Sequence, residues 1–392
     1  LISRKAGIIA GLAFAAYGTM VFYDTMFLLE VLFILLNLIA VYLLIKYKGE
    51  VRLVRWFWAG LILGLAAITR PNILLLVPFL LVWIYFSLPK IKEIKKRLPI
   101  ILIYLLGIFA PIFCVTVRNY LVGGEFVLIS SQGGVNFYIG NNPEAEGLTM
   151  LMPEVKLDET LPWTEFRAAV HMAAEREAGR SLTAGEESSF WSQKALDFII
   201  KNPGKFINLT FRKLVYFLVG FENSDNGDIY FSRNNSSLYA MLLWDKIIYF
   251  PFGLILPLAV IGMIEGWKKR KEYALLYIFV LGYIPTVILF LVTARHRLPV
   301  IPFLLLFAAL GILSTREYIG KSNWRKGGLY AGIFIVLLVL CNRTYFDIGF
   351  QNESQVHFNQ ALAYERQGDL MAAEKEYRAA LESNPYSPVA LN

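Results

Sequence analysis

The chain is poor in charged residues, cysteine and histidine, and each shortage argues against a class of protein. Only 17% of the 392 residues are Asp, Glu, Lys or Arg, whereas about a quarter of a soluble domain is charged. The two cysteines, Cys114 and Cys341, lie inside or at the end of apolar stretches, which argues against a disulfide framework. Three scattered histidines do not make a metal site. These counts disfavour an ordinary soluble domain, a disulfide-stabilised domain and a histidine-based metalloprotein.

The motifs that bind nucleotides and metals are also missing. The sequence contains no Walker loop, no GxGxxG after a strand, no HExxH and no CxxC. We therefore expect no cofactor and no divalent metal. The net charge is +8, but basic residues alternate with apolar stretches instead of forming one face, so nucleic acid is not an expected partner.

What the sequence does contain is apolar stretches of membrane-spanning length, with 57% hydrophobic residues overall. The pattern predicts an all-α polytopic membrane protein in contact with membrane lipid. The predicted spans are residues 6–22, 26–46, 56–70, 72–88, 98–117, 244–266, 273–293, 298–315 and 327–341.

Basic residues between the spans predict the orientation of the chain. If every basic cluster is cytoplasmic, all nine spans alternate in direction without conflict. The clusters are Arg4–Lys5, residues 46–55, residues 90–97, residues 268–271 and residues 316–326. This arrangement predicts a multi-pass membrane protein whose functional surface is extracytoplasmic; the family resemblance given below implies the bacterial inner (cytoplasmic) membrane.

The domain prediction follows from these spans. Membrane helices occupy residues 1–117 and 244–341, and the extracytoplasmic parts are a mixed segment, 118–243, and a tail, 342–392. Within 118–243 we expect strand and turn over 125–140 and helices over 160–180 and 186–201. Residues 205–220 predict an amphipathic helix in the membrane interface, with Lys205, Arg212 and Lys213 on its basic side, although a tenth span is an alternative.

The tail predicts two helices separated by Gly368 and Asp369. Apolar residues recur at helical spacing over 355–392, and Asn384-Pro385 is expected to end the second helix. The segment resembles one tetratricopeptide unit at eight pattern positions, and the alternative is an ordinary helical hairpin. A protein partner is expected for such a unit. The matching positions are Ala361, Tyr364, Gly368, Asp369, Ala373, Tyr377, Ala380 and Pro385.

Two acidic residues near the start of the chain are candidate catalytic groups. An ionisable side chain at membrane depth is costly, so it marks a candidate site. We place Glu30 about two turns into an apolar helix, where the alternative is a buried pair with an arginine of another helix. Asp24 lies at the predicted start of that helix, where the alternative is an N-cap.

Four arginines near the ends of predicted spans are candidate site residues, and the family resemblance given below implies that they bind the phosphate of a donor. Arg70 precedes Pro71, which splits a long apolar run. Arg118 follows the fifth span, and Arg295 and Arg297 lie in a tight turn between two spans. Guanidinium groups suit phosphate recognition. The alternative is anchoring to lipid headgroups.

Amide and aromatic side chains near residues 118–143 are candidate substrate contacts. Glycines there allow close approach of the backbone, and Asn and Gln amides hydrogen-bond to sugar hydroxyls. The alternative is a surface loop rich in turns. The candidates are Asn119, Gln132, Asn136, Tyr138, Asn141 and Asn142.

Four stretches in this order resemble membrane glycosyltransferases of the C-type fold, in particular bacterial relatives of protein O-mannosyltransferases (glycosyltransferase family 39). They are FYDTMFLLEVLF, GLAAITRPNILLLVPF, VRNYLVGGEFVLISSQGGVNFYIGNNPEAEG and ARHRLPVIPFLLLFAALGI, and the resemblance covers roughly residues 6–313. It implies transfer from a polyprenyl-phosphate sugar to a protein, lipid or glycan hydroxyl, with inversion. It also implies that the main catalytic acid lies in a loop before Leu1, so we expect this chain alone to be inactive.

Two other functions fit parts of the pattern. An O-antigen ligase or polymerase also combines many spans with tetratricopeptide units, but it uses polyprenyl-diphosphate sugars and matches the TRPN and GNNP segments less well. A transporter would place ionisable residues near the midplane of the membrane, whereas here they gather at one face.

Overall fold

The computed structural model describes residues 2–88, 94–155, 163–224, 229–345 and 353–383, and these are mostly helical. Among them no strand is present, apart from one isolated β-bridge between Trp244 and Phe250. The chain divides into two compact units. Unit 1 contains Leu1–Ser131, Phe252–Leu289 and Arg295–Asn342, and unit 2 contains Gln132–Pro251, Phe290–Ala294 and Arg343–Asn392.

The α-helices are numbered in chain order. They are α1 (Arg4–Ala15), α2 (Gly18–Thr25), α3 (Glu30–Lys46), α4 (Leu53–Thr69), α5 (Val77–Ser87), α6 (Ile94–Gly123), α7 (Gly133–Gly140), α8 (Trp163–Ala178), α9 (Ala184–Lys201), α10 (Pro203–Leu218), α11 (Ser237–Leu242), α12 (Phe252–Gly266), α13 (Arg270–Ile288), α14 (Ala294–Arg297), α15 (Ile301–Gly320), α16 (Trp324–Cys341), α17 (Glu353–Gln367) and α18 (Leu370–Ser383).

Four described helical segments are long and apolar enough to cross a membrane, namely Arg97–Gly123, Phe252–Ile288, Ala294–Gly320 and Trp324–Cys341. Helices α1 and α2, which are bent by 51° at their junction, make a fifth if they form one span. The expectation of a mostly helical protein with several spans is confirmed in this coarse form. The count of nine is not, because α3 and α4 have 17 residues each and a full crossing needs roughly 20.

Two local predictions were wrong. Residues 125–140 were expected to be strand and turn, but Gly133–Gly140 forms helix α7. The second helix was expected from residue 26, but α3 begins at Glu30, because the chain turns over residues 25–29 and Phe27 has a φ of 50°. Glu30 is therefore the first residue of its helix and does not lie two turns inside it.

Glycines allow the membrane-type helices of unit 1 to pack backbone against backbone. Gly60 and Gly64 of α4 are spaced as GxxxG and face α6, where an added methyl group would collide with the Tyr104 and Ile108 carbonyls. Gly107 of α6 faces the Phe57 carbonyl of α4 in the same way. Close approach of small residues is the main source of helix association in lipid, where burial of apolar surface gives little.

Helices α12 and α15 of unit 1 pack in the same manner. A methyl group on Gly262 of α12 would strike the Phe307 carbonyl of α15, and one on Gly311 would meet the Leu258 carbonyl at 2.5 Å. Both helix pairs therefore depend on contacts between main-chain surfaces.

Unit 2 has a small apolar core of its own, formed where α7 and α9 pack together. Trp191 of α9 is fully buried and stacks on Tyr138 of α7, with ring centroids 5.0 Å apart. Gly134 lies against the Ser188 backbone, which allows the close contact. The helices predicted over 160–180, 186–201 and 205–220 are present as α8, α9 and α10.

Helices α17 and α18, also in unit 2, form a hairpin. Gly368 joins them with a φ of 81°, a left-handed conformation that glycine adopts without strain, and the Asp369 Oδ1 accepts a hydrogen bond from the Ala372 amide at 3.1 Å. Ala361 and Ala380 are fully buried. The two-helix prediction is confirmed, whereas Asn384 and Pro385 lie outside the described residues.

Candidate functional site

Glu30, Arg70 and Arg295 come together in unit 1 although they are far apart in the sequence. The Glu30 carboxylate is 1% exposed and forms an ion pair with the Arg70 guanidinium. The Arg295 Nε lies 4.0 Å from the same carboxylate. We call these three residues the carboxylate–arginine cluster.

Each member of the cluster lies at a helix end, which explains why they can meet. Glu30 begins α3, where a carboxylate is favoured by the positive end of the helix dipole. Arg70 lies between α4 and the 3₁₀ segment Pro71–Leu76, in an extended conformation, and Pro71 occupies the first helical position as predicted. Arg295 belongs to the four-residue helix α14.

The loop that carries Arg70 is fixed from its other side by Asn72. The Asn72 Nδ2 donates hydrogen bonds to the Tyr283 hydroxyl at 3.3 Å and to the Thr286 Oγ1 at 3.2 Å, both on α13. The Thr286 hydroxyl itself donates to the Tyr283 carbonyl at 2.8 Å. Sequence reasoning missed these two α13 residues, since nothing in their spacing marks them as partners of Asn72.

The carboxylate–arginine cluster has more positive than negative groups. Two guanidinium groups face one carboxylate, so the three side chains together carry one net positive charge. Burial strengthens electrostatic interactions because the local dielectric constant is low. Such an arrangement is suited to binding an anion with several oxygen atoms, such as a phosphate ester.

The other two predicted phosphate ligands lie elsewhere in unit 1. Arg297 is 2% exposed, and its Cζ lies 3.9 Å from the centroid of the Phe252 ring. Side chains two positions apart on a helix are separated by about 200° around the helix axis. Arg295 and Arg297 therefore point to different sides. Arg118 is exposed on α6 and donates to the Asn119 Oδ1 at 3.3 Å. The role of Arg118 and Arg297 in binding phosphate stays a prediction.

Asp24 is not an N-cap. It lies in the last turn of α2, its side chain is exposed, and Leu29 occupies the N-cap position of α3. The N-cap alternative fails because a turn separates the two helices. An exposed carboxylate in this position is accessible to a substrate, so its candidate role is unchanged.

The predicted substrate contacts fall into two groups. Tyr138, Asn141 and Asn142 are buried. The Tyr138 hydroxyl donates to the Glu154 Oε1 at 2.6 Å, and the Asn142 Nδ2 donates to the Leu151 carbonyl at 2.7 Å. Burial, followed by this bond to Glu154, raises the pKa of Tyr138. These contacts hold the loop after α7, and sugar binding by the three side chains stays a prediction.

The remaining substrate candidates are less buried. Gln132 and Asn136 are exposed, and because they are four residues apart at the start of α7 they lie on one face. Asn119, in unit 1, is half-buried and donates to the Val127 and Ile129 carbonyls at 3.0 and 3.2 Å. Asn119 thus holds the segment that follows α6. Sugar binding by Gln132, Asn136 and Asn119 stays a prediction.

The sequence pattern placed Lys213 on the basic side of its amphipathic helix, but the structure buries it. It is fully buried in unit 2, and its Nζ donates to the Gly140 carbonyl at 2.6 Å and to the Asn141 Oδ1 at 3.3 Å. Burial lowers its pKa to about 7. The sequence spacing could have predicted this burial. Lys213 lies four residues from both Leu209 and Phe217, which are buried on the same face.

The geometry thus defines a mostly helical protein with several helices that could cross a membrane and a buried carboxylate–arginine cluster. No group of three or more His, Cys, Asp or Glu side chains that could hold a metal ion occurs in the part of the chain that the structure describes. No family model, curated protein or solved structure matches this chain.

Proposed function

We propose that this chain is part of a membrane glycosyltransferase that takes its sugar from a polyprenyl-phosphate donor on the extracytoplasmic face of the membrane. The single observation that supports the proposal is the carboxylate–arginine cluster, in which Arg70 and Arg295 converge on the buried Glu30. The resemblance of residues 6–313 to C-type glycosyltransferases agrees with this assignment.

In the proposed reaction, an acceptor hydroxyl attacks the anomeric carbon of the donor sugar while the bond between that carbon and the phosphate oxygen breaks. The hydroxyl proton passes to a carboxylate, and the lipid phosphate leaves with its electron pair. Negative charge grows on the leaving phosphate, where arginines stabilise it without a metal ion. One displacement inverts the anomeric configuration.

The geometry suggests different roles for the two acidic residues. Glu30 is buried and paired, so we propose that it holds Arg70 and Arg295 in the orientation that meets the phosphate. Asp24 is exposed and lies six residues earlier. Within this chain it is therefore the candidate for accepting the proton.

The test uses the full-length protein that contains this chain, reconstituted in vesicles with polyprenyl-phosphate sugars. We expect Arg70→Ala and Glu30→Ala each to lower the transfer rate by about 100-fold or more, the usual effect of removing one charge-stabilising group. As a matched control, Glu50 in the loop after α3 forms an ion pair with Arg55 of α4. Glu50→Ala and Arg55→Ala should leave transfer nearly unchanged.

The same assay separates this proposal from the alternative. A polysaccharide ligase or polymerase would accept polyprenyl-diphosphate sugars and not the monophosphates. Full activity of both cluster variants, or use of diphosphate donors alone, would contradict the proposed function.

A further inference from the structure

Residues 237–248 of unit 2 present an exposed apolar surface that the proposed function does not use. Its members belong to α11 and the loop after it, and we call it the 237–248 surface. Met241 is 63% exposed, Trp244 49% and Ile247 89%. Isolated apolar side chains are common on protein surfaces, but three within seven residues, including a tryptophan, form a patch that needs a partner.

Backbone and ring contacts between Trp244 and Phe250 close the loop that carries these apolar side chains. Trp244 and Phe250 form a β-bridge with N···O distances of 3.2 and 3.0 Å. Their rings stack with centroids 4.6 Å apart. The indole Nε1 donates to the Met241 carbonyl at 3.1 Å, so the polar atom of the ring is satisfied by the protein.

The single acidic side chain of the loop is neutralised within unit 2. Both Asp245 carboxylate oxygens accept hydrogen bonds from Arg233, at 2.7 and 3.0 Å. This two-point ion pair removes a charge that would otherwise oppose contact with an apolar or anionic surface. Lys246 is exposed beside it and leaves one positive charge on the surface.

Between these side chains lies an open groove of about 450 Å³. It is lined by Arg233, Trp244, Asp245, Lys246, Ile247 and Ile248. Trp244, Ile247 and Ile248 supply apolar surface to the groove, and the charges of Arg233 and Asp245 are paired with each other. This apolar surface suits hydrocarbon better than the hydroxyl groups of a sugar.

The covalent chain limits how far this surface lies from the membrane. Phe250 is two residues before Phe252, which begins the apolar helical segment Phe252–Ile288. Two residues span at most about 7 Å, and five at most about 18 Å. Ile247, five residues before the segment, is therefore tethered near its first turn, and tryptophan with lysine at such a position is typical of a membrane interface.

From these observations we propose that the 237–248 surface inserts Met241, Trp244 and Ile247 into the interface of a lipid bilayer, with Lys246 at the level of anionic headgroups. The occupant of the groove is then lipid. The insertion would fix unit 2 at the membrane surface independently of any sugar transfer.

The test is photo-crosslinking from a benzoyl-phenylalanine placed at Ile247 of the full-length protein. The protein is reconstituted in vesicles of phosphatidylcholine alone or with a quarter phosphatidylglycerol, irradiated and analysed by mass spectrometry. Ser181 is the control position, because it is exposed beside the solvent-facing Arg180–Glu186 ion pair. We expect lipid adducts from position 247 at several times the yield from position 181.

Added phosphatidylglycerol should raise the adduct yield at position 247, and Lys246→Gln should abolish that increase. Equal lipid adducts at positions 181 and 247, or adducts at 247 only with protein, would overturn the proposal. Because the readout is a covalent lipid adduct and not sugar transfer, it stands or fails separately from the proposed function.

Discussion

Glu30 illustrates how burial constrains a charged side chain. Removing a carboxylate from water costs several kcal/mol unless a partner compensates, and here Arg70 and Arg295 do so. The sequence could predict that Glu30 needs a partner, because an acid in an apolar helix is costly. It could not identify Arg70 among all the arginines, because the two residues are 40 positions apart and meet only through helix packing.

Lys213 permits a prediction about pH, because its pKa is about 7 in the folded protein and about 10.4 in an unfolded chain. Between these values the unfolded state holds a proton that the folded state has lost. The contribution of Lys213 to stability therefore rises as pH increases from 7 to 10, and it levels off outside that window.

We expect Lys213→Met to remove this pH dependence. The measurement is thermal unfolding of the full-length protein and the variant in detergent at pH 7, 8 and 9. The wild-type Tm minus the variant Tm should increase at each step, whereas Lys205→Met, which alters an exposed lysine of the same helix, should give a constant difference. A Lys213→Met difference that falls or stays flat with pH would contradict the assignment.

At the scale of elements, periodicity predicted the interior of helices better than their ends. Helices α8, α9 and α10 were placed from spacing and the break at Asn202-Pro203-Gly204. Residues 125–140, which include α7, were predicted to be strand and turn because apolar residues alternate there with glycine and serine. Gly134 is instead a packing residue that lets α7 approach α9, and such a role depends on a neighbour that a local pattern does not contain.

The packing of α4 on α6 gives a prediction in which alanine destabilises a helix. In an exposed helix, Gly→Ala is favourable by up to about 1 kcal/mol. At Gly60 the added methyl would strike the Tyr104 carbonyl, and such overpacking typically costs about 1–3 kcal/mol. Gly60→Ala should therefore lower the stability of the protein despite the better helix propensity.

Gly11 in α1 is the matched control, because nothing lies within 4 Å of a methyl group added there. Gly11→Ala should leave the Tm unchanged or raise it, whereas Gly60→Ala should lower it by several degrees. Both are measured by thermal unfolding in the same detergent. Equal effects of the two substitutions would show that α4 and α6 are not in backbone contact.

At the scale of the whole molecule, composition and apolar stretches were enough to predict a helical protein with several spans. They were not enough to count the spans, since helices such as α3 and α4 are apolar yet short for a bilayer. Short helices become stable at membrane depth by packing against longer ones. Whether they do so depends on contacts such as those of Gly60 and Gly64, which hydropathy does not measure.

The distribution of basic residues makes a prediction about the two sides of the membrane. Arg52, Lys271 and Arg325 are exposed members of three different basic clusters, and the tendency of Lys and Arg to stay in the cytoplasm places all three there. Met172, on α8 of unit 2, is exposed and is predicted on the opposite side. The three clusters lie between different pairs of predicted spans, so each position is a separate test.

Single cysteines at these four positions, in a protein carrying Cys114→Ser and Cys341→Ala, can be labelled with a membrane-impermeant maleimide. In intact cells we expect the Met172→Cys variant alone to react, and permeabilisation should expose the other three. A labelled Lys271→Cys with a protected Arg52→Cys would mean that the helices between them do not alternate as the charges require. Glu30 and Arg295 could then still form their ion pair, but the side of the membrane on which a donor phosphate meets them would have to be reassigned.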